Sequence, residues 1–227
     1  MKILHIISSR GWGGAENSAV YLAKKQIENG CTSFLFIHSL NKKLKNILDD
    51  NGVPYYSIFN PERKNIFAIN KIINICRRES INVIHTHPGT GNYLGVIAGN
   101  FLKIPVVSTA NVFSGYPYYA QADAVYFSSN ALKNYHLDYF SSGKYLNYKP
   151  GFIEAGINRL FKFTYKPVNI DELIKKTNLI YERIDELKFI GYNEKLAEFK
   201  NCLNIGMTGR IDEQKGQIYF IEAAELY

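Results

Sequence analysis

The chain has 227 residues, 46% of them hydrophobic and 21% charged, which is the composition of an ordinary globular protein. No apolar run approaches the ~18 residues that a membrane-spanning helix needs, so we expect a soluble protein. The net charge of +7 is spread over pairs such as Lys24-Lys25 and Arg77-Arg78 and forms no dense basic stripe, so we expect no nucleic-acid partner. Such pairs usually lie on solvated helix faces, and peripheral contact with an anionic membrane is the alternative.

The chain opens directly on a predicted strand over residues 3–7, which is too short for a secretory signal and lacks a small-residue cleavage site. We therefore expect a cytoplasmic protein, with the inner face of the cell membrane as the place of any peripheral contact. The three cysteines, Cys31, Cys76 and Cys202, are odd in number, lie far apart and form no Cys-x-x-Cys pair. They predict neither a disulfide framework nor a zinc site.

Strands and helices alternate over the first 150 residues. Runs rich in β-branched residues predict strands, and stripes of apolar residues three or four apart predict helices between them. The predicted strands span residues 3–7, 32–38, 55–58, 82–87, 105–109, 123–129 and 144–148. The clearest predicted helices span residues 41–51 and 66–79, with Gly30 and Gly52 as helix ends and Ser129 or Asn130 as a helix cap. This order predicts an α/β fold with a doubly wound, parallel, Rossmann-like sheet.

Ligands of such sheets bind at the carboxyl ends of the strands, where three groups of candidate residues lie: the glycine turn after the first strand, two histidines at the end of the fourth, and Asn111 after the fifth. The turn after the first strand carries Gly13, Gly14 and Glu16 at the start of a helix. Glycines there let an anionic ligand approach the unpaired backbone N–H groups of the helix start, so phosphate or a sugar nucleotide is the expected ligand. The turn does not match the dinucleotide-binding fingerprint G-x-G-x-x-G of dehydrogenases, because Glu16 stands in place of the third glycine. His38 stands where that fingerprint has an acidic residue, at the end of the second strand. A simple tight turn remains the alternative.

Two histidines, His85 and His87, end the fourth strand and lie two residues apart, so they share one face of it. As metal ligands they lack a third partner at a recognisable spacing. Contact with substrate and structural hydrogen bonding are the other interpretations, and we include both residues among the substrate-binding candidates. Because the chain has no Asp-x-Asp pair either, we expect no metal and no other cofactor.

Pro150-Gly151 marks a predicted boundary. Residues 151–201 are interpreted as a linker or helical insertion, with helices over 171–180, 181–187 and 194–199. Residues 202–227 start a second unit, with a strand over 202–209 and a helix over 216–226. The predicted domains are therefore 1–150, 151–201 and 202–227.

Four elements in this order resemble the retaining family 4 glycosyltransferases of GT-B fold. The turn Gly13-Gly14-Ala15-Glu16 is similar to the family's Gly-Gly-x-Glu element, residues 122–129 to its ADxVxxxS strand, and residues 148–154 to its Pro-(Asn)-Gly-x-Asp junction. Residues 209–216, with Arg210 and Lys215, are similar to its GRxxxxKG element. In that family the Arg and Lys hold the donor diphosphate, where two cations offset the charge that grows on the leaving group.

The chain departs from the family pattern in two places. Family members commonly place a histidine after strand five, and here the residue is Asn111, which donates a hydrogen bond but carries no proton. The sequence ends at Tyr227, before the region after the Lys215-Gly216 turn in which the family's C-terminal domain carries its acidic E-x7-E element. The resemblance implies an acceptor-side domain plus the truncated start of a donor-side domain, completed by a longer chain or a separate C-terminal partner chain.

The resemblance implies an enzyme that moves sugar from a nucleotide-sugar donor to a glycan or lipid-linked acceptor in surface polysaccharide or glycolipid synthesis. Asn111, Arg210 and Lys215 are the catalytic candidates. This chain alone is expected to transfer sugar slowly or not at all. The alternatives are a catalytically incomplete binding or scaffold domain and a protein similar to sugar-nucleotide epimerases.

Overall fold

The computed structural model describes residues 1–113, 117–143, 148–181, 207, 211 and 213–225. The chain divides into two compact units, Met1–Glu182 and Arg183–Tyr227. The predicted boundary at residue 150 therefore falls inside the first unit. The predicted helices over 181–187 and 194–199 and most of the strand over 202–209 lie outside the described residues.

The first unit is built on a sheet whose seven described strands are all parallel. Its strand order is β3-β2-β1-β4-β5-β6-β7. The chain adds β2 and β3 on one side of β1 and the later strands on the other side, so the direction of strand addition reverses between β1 and β4. This confirms the doubly wound α/β prediction. The strands are β1 (Lys2–Ile6), β2 (Thr32–His38), β3 (Tyr55–Ile58), β4 (Val83–Thr86), β5 (Val106–Ala110), β6 (Ala124–Phe127) and β7 (Thr177–Leu179).

Helices connect the strands, and a 3-10 turn at Pro117–Gln121 lies between β5 and β6. In the first unit the helices are α1 (Gly14–Glu28), α2 (Lys42–Asp50), α3 (Ile66–Glu79), α4 (Thr90–Leu102), α5 (Asn130–Ser141), α6 (Phe152–Leu160) and α7 (Ile170–Lys176). The second unit contains a 3-10 turn at Glu213–Lys215 and helix α8 (Gln217–Glu225). None of the helices in the described ranges is long and apolar enough to cross a membrane.

Short polar side chains fix several helix starts. The side-chain oxygens of Asn41, Asn65, Ser129 and Asn169 each accept a hydrogen bond from the backbone N–H three residues later, at distances of 3.1 to 3.2 Å. This confirms the predicted cap at the start of α5. The N-cap residues of α1 and α4 are instead glycines, Gly13 and Gly89, which have no side chain that could cap the helix. Both starts lie at the carboxyl edge of the sheet.

The two faces of the sheet are buried by different helices. Because side chains alternate along a strand, Leu4 and Ile6 of β1 lie on the opposite face from His5. Leu4 and Ile6 belong to the larger core, which includes the apolar stripes of α3 and α4. A smaller core on the other side joins α1 and α2 to Leu35 and Ile37 of β2. The face covered by α1 therefore carries His5 next to an apolar core.

The predicted elements differ from the structure at the seventh strand and in the helices after residue 150, where α6 (Phe152–Leu160) was not predicted. Of the predicted seventh strand over 144–148, residues 144–147 lie outside the described residues and Tyr148 is not in a strand. The seventh strand is Thr177–Leu179, so the helix predicted over 171–180 is wrong from Thr177 onward. These residues pair with Val125–Phe127 of β6, and this long-range pairing overrides the local helical pattern.

Helix α4 packs against the sheet so closely that it needs glycine at Gly99. A Cβ atom at Gly99 would meet the side chain of Val106 and would lie 2.9 Å from the carbonyl oxygen of Ile104. We expect Gly99→Ala to lower the free energy of unfolding by about 1–3 kcal/mol, because helix and strand must move apart. Urea unfolding followed by circular dichroism measures this change.

Gly156, in the middle of α6, is the matched control, because a Cβ there meets nothing within 4 Å. We expect Gly156→Ala to raise the free energy of unfolding by about 0.5–1 kcal/mol, through helix propensity. Equal effects of the two substitutions would contradict the close packing of α4.

Candidate functional site

The loops that follow β1 and β4 lie side by side at the carboxyl edge of the sheet. The N–H of His87 donates to the carbonyl of Ile6 at 3.1 Å, and the N–H of Gly91 donates to Oγ of Ser8 at 3.0 Å. Ser8 therefore serves as the cap that Gly89 does not provide for α4. Sequence reasoning missed Ser8, because a cap supplied from 83 residues away leaves no local pattern.

Glycine is required on the β4 side of this junction. Gly89 has a φ of +95°, in the range that other residues rarely adopt. A Cβ at Gly91 would lie 3.0 Å from the carbonyl oxygen of Ile6, so a larger residue would push α4 away from β1. These two glycines keep the start of α4 against the end of β1.

The carboxylate of Glu16 lies at the N-terminus of α1. It is 7% exposed, accepts a hydrogen bond from the Ser9 hydroxyl, and its Oε2 lies 3.4 Å from the place of a Cβ on Gly13. A negative charge in the first turn complements the positive end of the helix dipole. The chain thus places a buried carboxylate of its own in the first turn of α1.

Gly14, by contrast, faces open space. It is exposed, and a Cβ there would meet nothing within 4 Å among the residues that the structure describes. Packing of the protein does not require glycine at this position. The space beside Gly14 is therefore available to a ligand at the start of α1.

Three side chains from other segments, Asn41, Asn60 and His38, contact the loop after β1. The Asn41 amide group donates to the carbonyls of Ser9 and Gly11 at 3.2 and 2.6 Å. The Arg10 guanidinium reaches Asn60 at 3.4 Å and lies 3.0 Å from Nε2 of His38. The loop is thereby tied to the residues that follow β2 and β3, although nothing local in the sequence indicates these contacts.

His38 is buried, and this burial, together with the nearby charge of Arg10, lowers its pKa. Its ring is therefore neutral at pH 7 and has one acceptor nitrogen. Both Arg10 and the N–H of Leu40 point a donor at this ring, each at 3.0 Å. Only one of the two hydrogen bonds can form at a time.

His85 and His87 are joined by a third histidine. The parallel register pairs His5 of β1 with His85 of β4, and Nδ1 of His5 lies 3.2 Å from Nε2 of His87. One ring nitrogen from each of the three residues lies within 4.8 Å of the other two. His5 is thus a third histidine near His85 and His87, which no spacing in the sequence indicated. Strand register, which sequence reasoning did not derive, is the signal that finds His5.

The outer nitrogens of the cluster also have partners. Nε2 of His5 lies 2.8 Å from Oε1 of Gln26, and that oxygen also accepts from the Ser33 hydroxyl at 2.7 Å. Nε2 of His85 lies 2.7 Å from Oγ1 of Thr109. Burial lowers the pKa of His5 to about 4 and holds the pKa values of His85 and His87 well below the ordinary value of 6.5. All three rings are neutral at pH 7.

The predicted site residues fall into separate groups. Gly13, Gly14 and Glu16 share the carboxyl edge with the loop after β4, and Asn111 directly follows β5 at the same edge, half-buried. His85 and His87 are buried, at 8% and 3% exposure. Their contacts are with His5, Thr109 and each other, and their role in binding substrate stays a prediction.

The two cationic candidates belong to the second unit. Arg210 lies outside the described residues. Lys215 is exposed and ends the 3-10 turn Glu213–Lys215, directly before Gly216, whose φ is +69°. Their proposed role toward a donor therefore depends on the sequence resemblance.

Comparisons with known proteins agree with this fold. The sequence model of Glycosyltransferase Family 4 matches residues 12–144, more than half of the chain. No curated protein matches the sequence. Among solved structures, HepE of Anabaena in complex with UDP and glucose is similar, with a TM-score of 0.66 and 16% identity over 99% of this chain and 57% of HepE.

Two further structures are similar. A glycosyltransferase from Rickettsia africae ESF-5 has a TM-score of 0.61 and 17% identity over 98% of this chain and 56% of its own. MurG of Acinetobacter baumannii has a TM-score of 0.50 and 17% identity over 58% of this chain and 42% of its own. The chain therefore spans a little over half the length of HepE and of the Rickettsia protein, with the fold of a GT-B glycosyltransferase.

The histidine cluster predicts a loss of stability in acid. Below pH 6.5 the unfolded chain binds protons that the folded chain does not, because all three folded-state pKa values are lowered from 6.5. The free energy of unfolding should fall as pH drops from 7 toward 4, by up to about 1.4 kcal/mol per pH unit for each histidine. Urea unfolding of chelator-treated protein at several pH values measures it.

His5→Gln is the matched variant, because it removes one titrating ring and keeps an amide that can contact Gln26. Its free energy of unfolding should depend less steeply on pH than that of the wild type. Identical slopes for the two proteins would show that His5 does not carry a lowered pKa.

Proposed function

The chain belongs to glycosyltransferase family 4, and from this premise we propose that it carries the acceptor-side domain of a retaining enzyme. The proposed reaction moves a sugar from a nucleotide-sugar donor to a glycan or lipid-linked acceptor, in the synthesis of surface polysaccharide or glycolipid. The carboxyl edge of the sheet in the first unit is the proposed acceptor site. The observation that carries this proposal is the buried Glu16 carboxylate beside the open space at Gly14.

A carboxylate only accepts hydrogen bonds, so Glu16 suits the hydroxyl groups of a sugar acceptor and opposes a phosphate at the same turn. The Ser9 hydroxyl, bonded to Glu16, and the N–H groups at the start of α1 complete a set of donors and acceptors. Asn111, on the same edge, is proposed to orient the reacting hydroxyl through its amide group. It is not proposed to act as an acid or base, because an amide group neither gains nor loses a proton near neutral pH.

The donor diphosphate is proposed to bind Arg210 and Lys215 of the second unit. Two cations offset the negative charge that develops on the leaving diphosphate, and no metal ion is invoked for this step. Relatives such as HepE bind UDP, but the chain spans only 57% of HepE. The complete donor site is therefore proposed for the enzyme with its whole C-terminal domain, on the same chain or on a partner chain.

Peripheral contact with an anionic membrane on the cytoplasmic side is part of the proposal. Phe59 and Phe67 are exposed at 64% and 80%, on either side of a segment that contains the exposed Lys64. Arg63 of the same segment lies 3.5 Å from the buried Glu154 carboxylate, so its charge serves an internal ion pair. Exposed aromatic rings beside a basic side chain suit the interface of an anionic bilayer. Such contact would bring a lipid-linked acceptor to the enzyme.

Acceptor-dependent release of nucleoside diphosphate tests the proposal. The chain is incubated with UDP-, GDP- and dTDP-sugars and saccharide acceptors, alone and together with a polypeptide that carries the E-x7-E element. We expect little release by the chain alone and acceptor-dependent release by the pair. Gly14→Val should abolish this release and weaken saccharide binding in calorimetry at least tenfold, because its side chain fills the open space beside α1.

Gly14→Ala, with a smaller side chain, should lose less, and both variants should keep the circular dichroism spectrum and melting temperature of the wild type. Isomerisation of the donor without any acceptor would indicate an epimerase instead. Saccharide binding with no release of nucleoside diphosphate, by the chain alone or with the second polypeptide, would indicate a binding module. If Gly14→Val keeps the wild-type release and the wild-type affinity for saccharide, the start of α1 is not part of the acceptor site.

A further inference from the structure

The three histidines of the cluster converge in a way that hydrogen bonding alone does not require. His5, His85 and His87 come from the two central strands, and one nitrogen of each lies within 4.8 Å of the other two. Within the described part of the chain, this is the only group of three His, Cys, Asp or Glu side chains placed to share an ion. We propose that His5, His85 and His87 bind one divalent transition-metal ion, such as Zn²⁺.

The distance between two of the proposed ligand atoms suits such an ion. Nδ1 of His5 and Nε2 of His87 are 3.2 Å apart. Zinc bonds to histidine nitrogen at 2.0–2.1 Å, so two nitrogens of a tetrahedral site lie about 3.3 Å apart. An ion can therefore bind between these two rings without separating them.

Contacts on the outer side of the cluster determine which nitrogen of His5 keeps its lone pair. Oε1 of Gln26 is an acceptor that also takes the Ser33 hydroxyl, so Nε2 of His5 must donate to it and Nδ1 keeps its lone pair. Nε2 of His85 likewise lies 2.7 Å from Thr109 Oγ1. Metal-binding histidines characteristically donate their other ring N–H to such an oxygen, which sets the tautomer of the ligand.

The ligand set selects the kind of ion. Three neutral imidazoles suit zinc, copper and nickel, whereas magnesium and calcium require oxygen ligands. Burial keeps the rings neutral, so protons compete weakly for the nitrogens at pH 7. The rings of His85 and His87 are inclined by only 24°, so binding requires rotation about their Cβ–Cγ bonds to aim the lone pairs at one point.

The proposed ion is structural and stands apart from the transfer step. It would cross-link β1 to β4, the two strands that precede α1 with Glu16 and α4 with Gly91. Fixing these strands would fix the spacing between the starts of α1 and α4. Without an ion, the same nitrogens can form a hydrogen bond from His87 Nε2 to His5 Nδ1, and the experiment must separate these two states.

Cobalt titration makes this separation. The untagged chain is freed of metal with a chelator and titrated with Co²⁺, whose visible d–d bands are intense only at a tetrahedral or five-coordinate site, and Zn²⁺ is then added in competition. We expect one Co²⁺ per chain, displaced by one Zn²⁺, and a melting temperature that rises with Zn²⁺. His5→Gln and His87→Gln should each lower the Zn²⁺ affinity more than 100-fold.

Gln26→Met, which removes only the oxygen behind His5, should lower the Zn²⁺ affinity about 10- to 100-fold. His136→Gln is the matched control, because His136 is also buried but contacts the Val112 carbonyl instead of the cluster. It should bind Zn²⁺ as the wild type does.

Absence of a 1:1 Co²⁺ complex in the wild type would overturn the proposal, as would wild-type Zn²⁺ affinity in a folded His5→Gln variant. If circular dichroism shows that the histidine variants do not fold, the wild-type cobalt spectrum and the Gln26→Met affinity decide the question.

Discussion

The register between β1 and β4 is the constraint on which the rest of the site depends. Pairing Ile6 with Thr86 brings the ends of both strands to one level. This is the point in the sheet where the direction of strand addition reverses. Open α/β sheets form their ligand crevice at such a point. The same register places His5 beside His85 and lets Ser8 reach the N–H of Gly91. A slip of one residue would turn every one of these side chains to the opposite face.

Electrostatics at this crevice determines which ligand it favours. A glycine-rich turn before a helix is a general anion site, but here Glu16 neutralises the helix end from within the chain. We therefore propose a neutral sugar as the ligand of the first unit, while the cations Arg210 and Lys215 belong to the second unit. This separation of charge matches the division between acceptor and donor that we propose for a two-domain transferase.

Much of the fold could be predicted from the sequence, because local signals specify it. Strands over 32–38 and 55–58 and the helix over 66–79 were predicted with their observed bounds, since alternation, caps and apolar stripes lie within each segment. Contacts between distant segments could not be predicted this way. The third histidine, the Ser8 cap and the pairing of Thr177–Leu179 with β6 all depend on strand pairing. Glu16 was identified as a candidate, but its burial at the helix end, on which our proposal of a neutral ligand depends, could not be predicted from local sequence.

The central claim is that the turn after β1 binds sugar hydroxyls and not phosphate, because Glu16 carries the negative charge there. Amide chemical shifts of Gly13, Gly14 and Gly91, followed by ¹⁵N NMR during titration with a saccharide or with inorganic phosphate, test it most directly. The account predicts shifts with saccharide and none with phosphate in the wild type, and phosphate-dependent shifts in Glu16→Gln, which removes the charge and keeps the shape. Phosphate-dependent shifts of equal size in the wild type would contradict it.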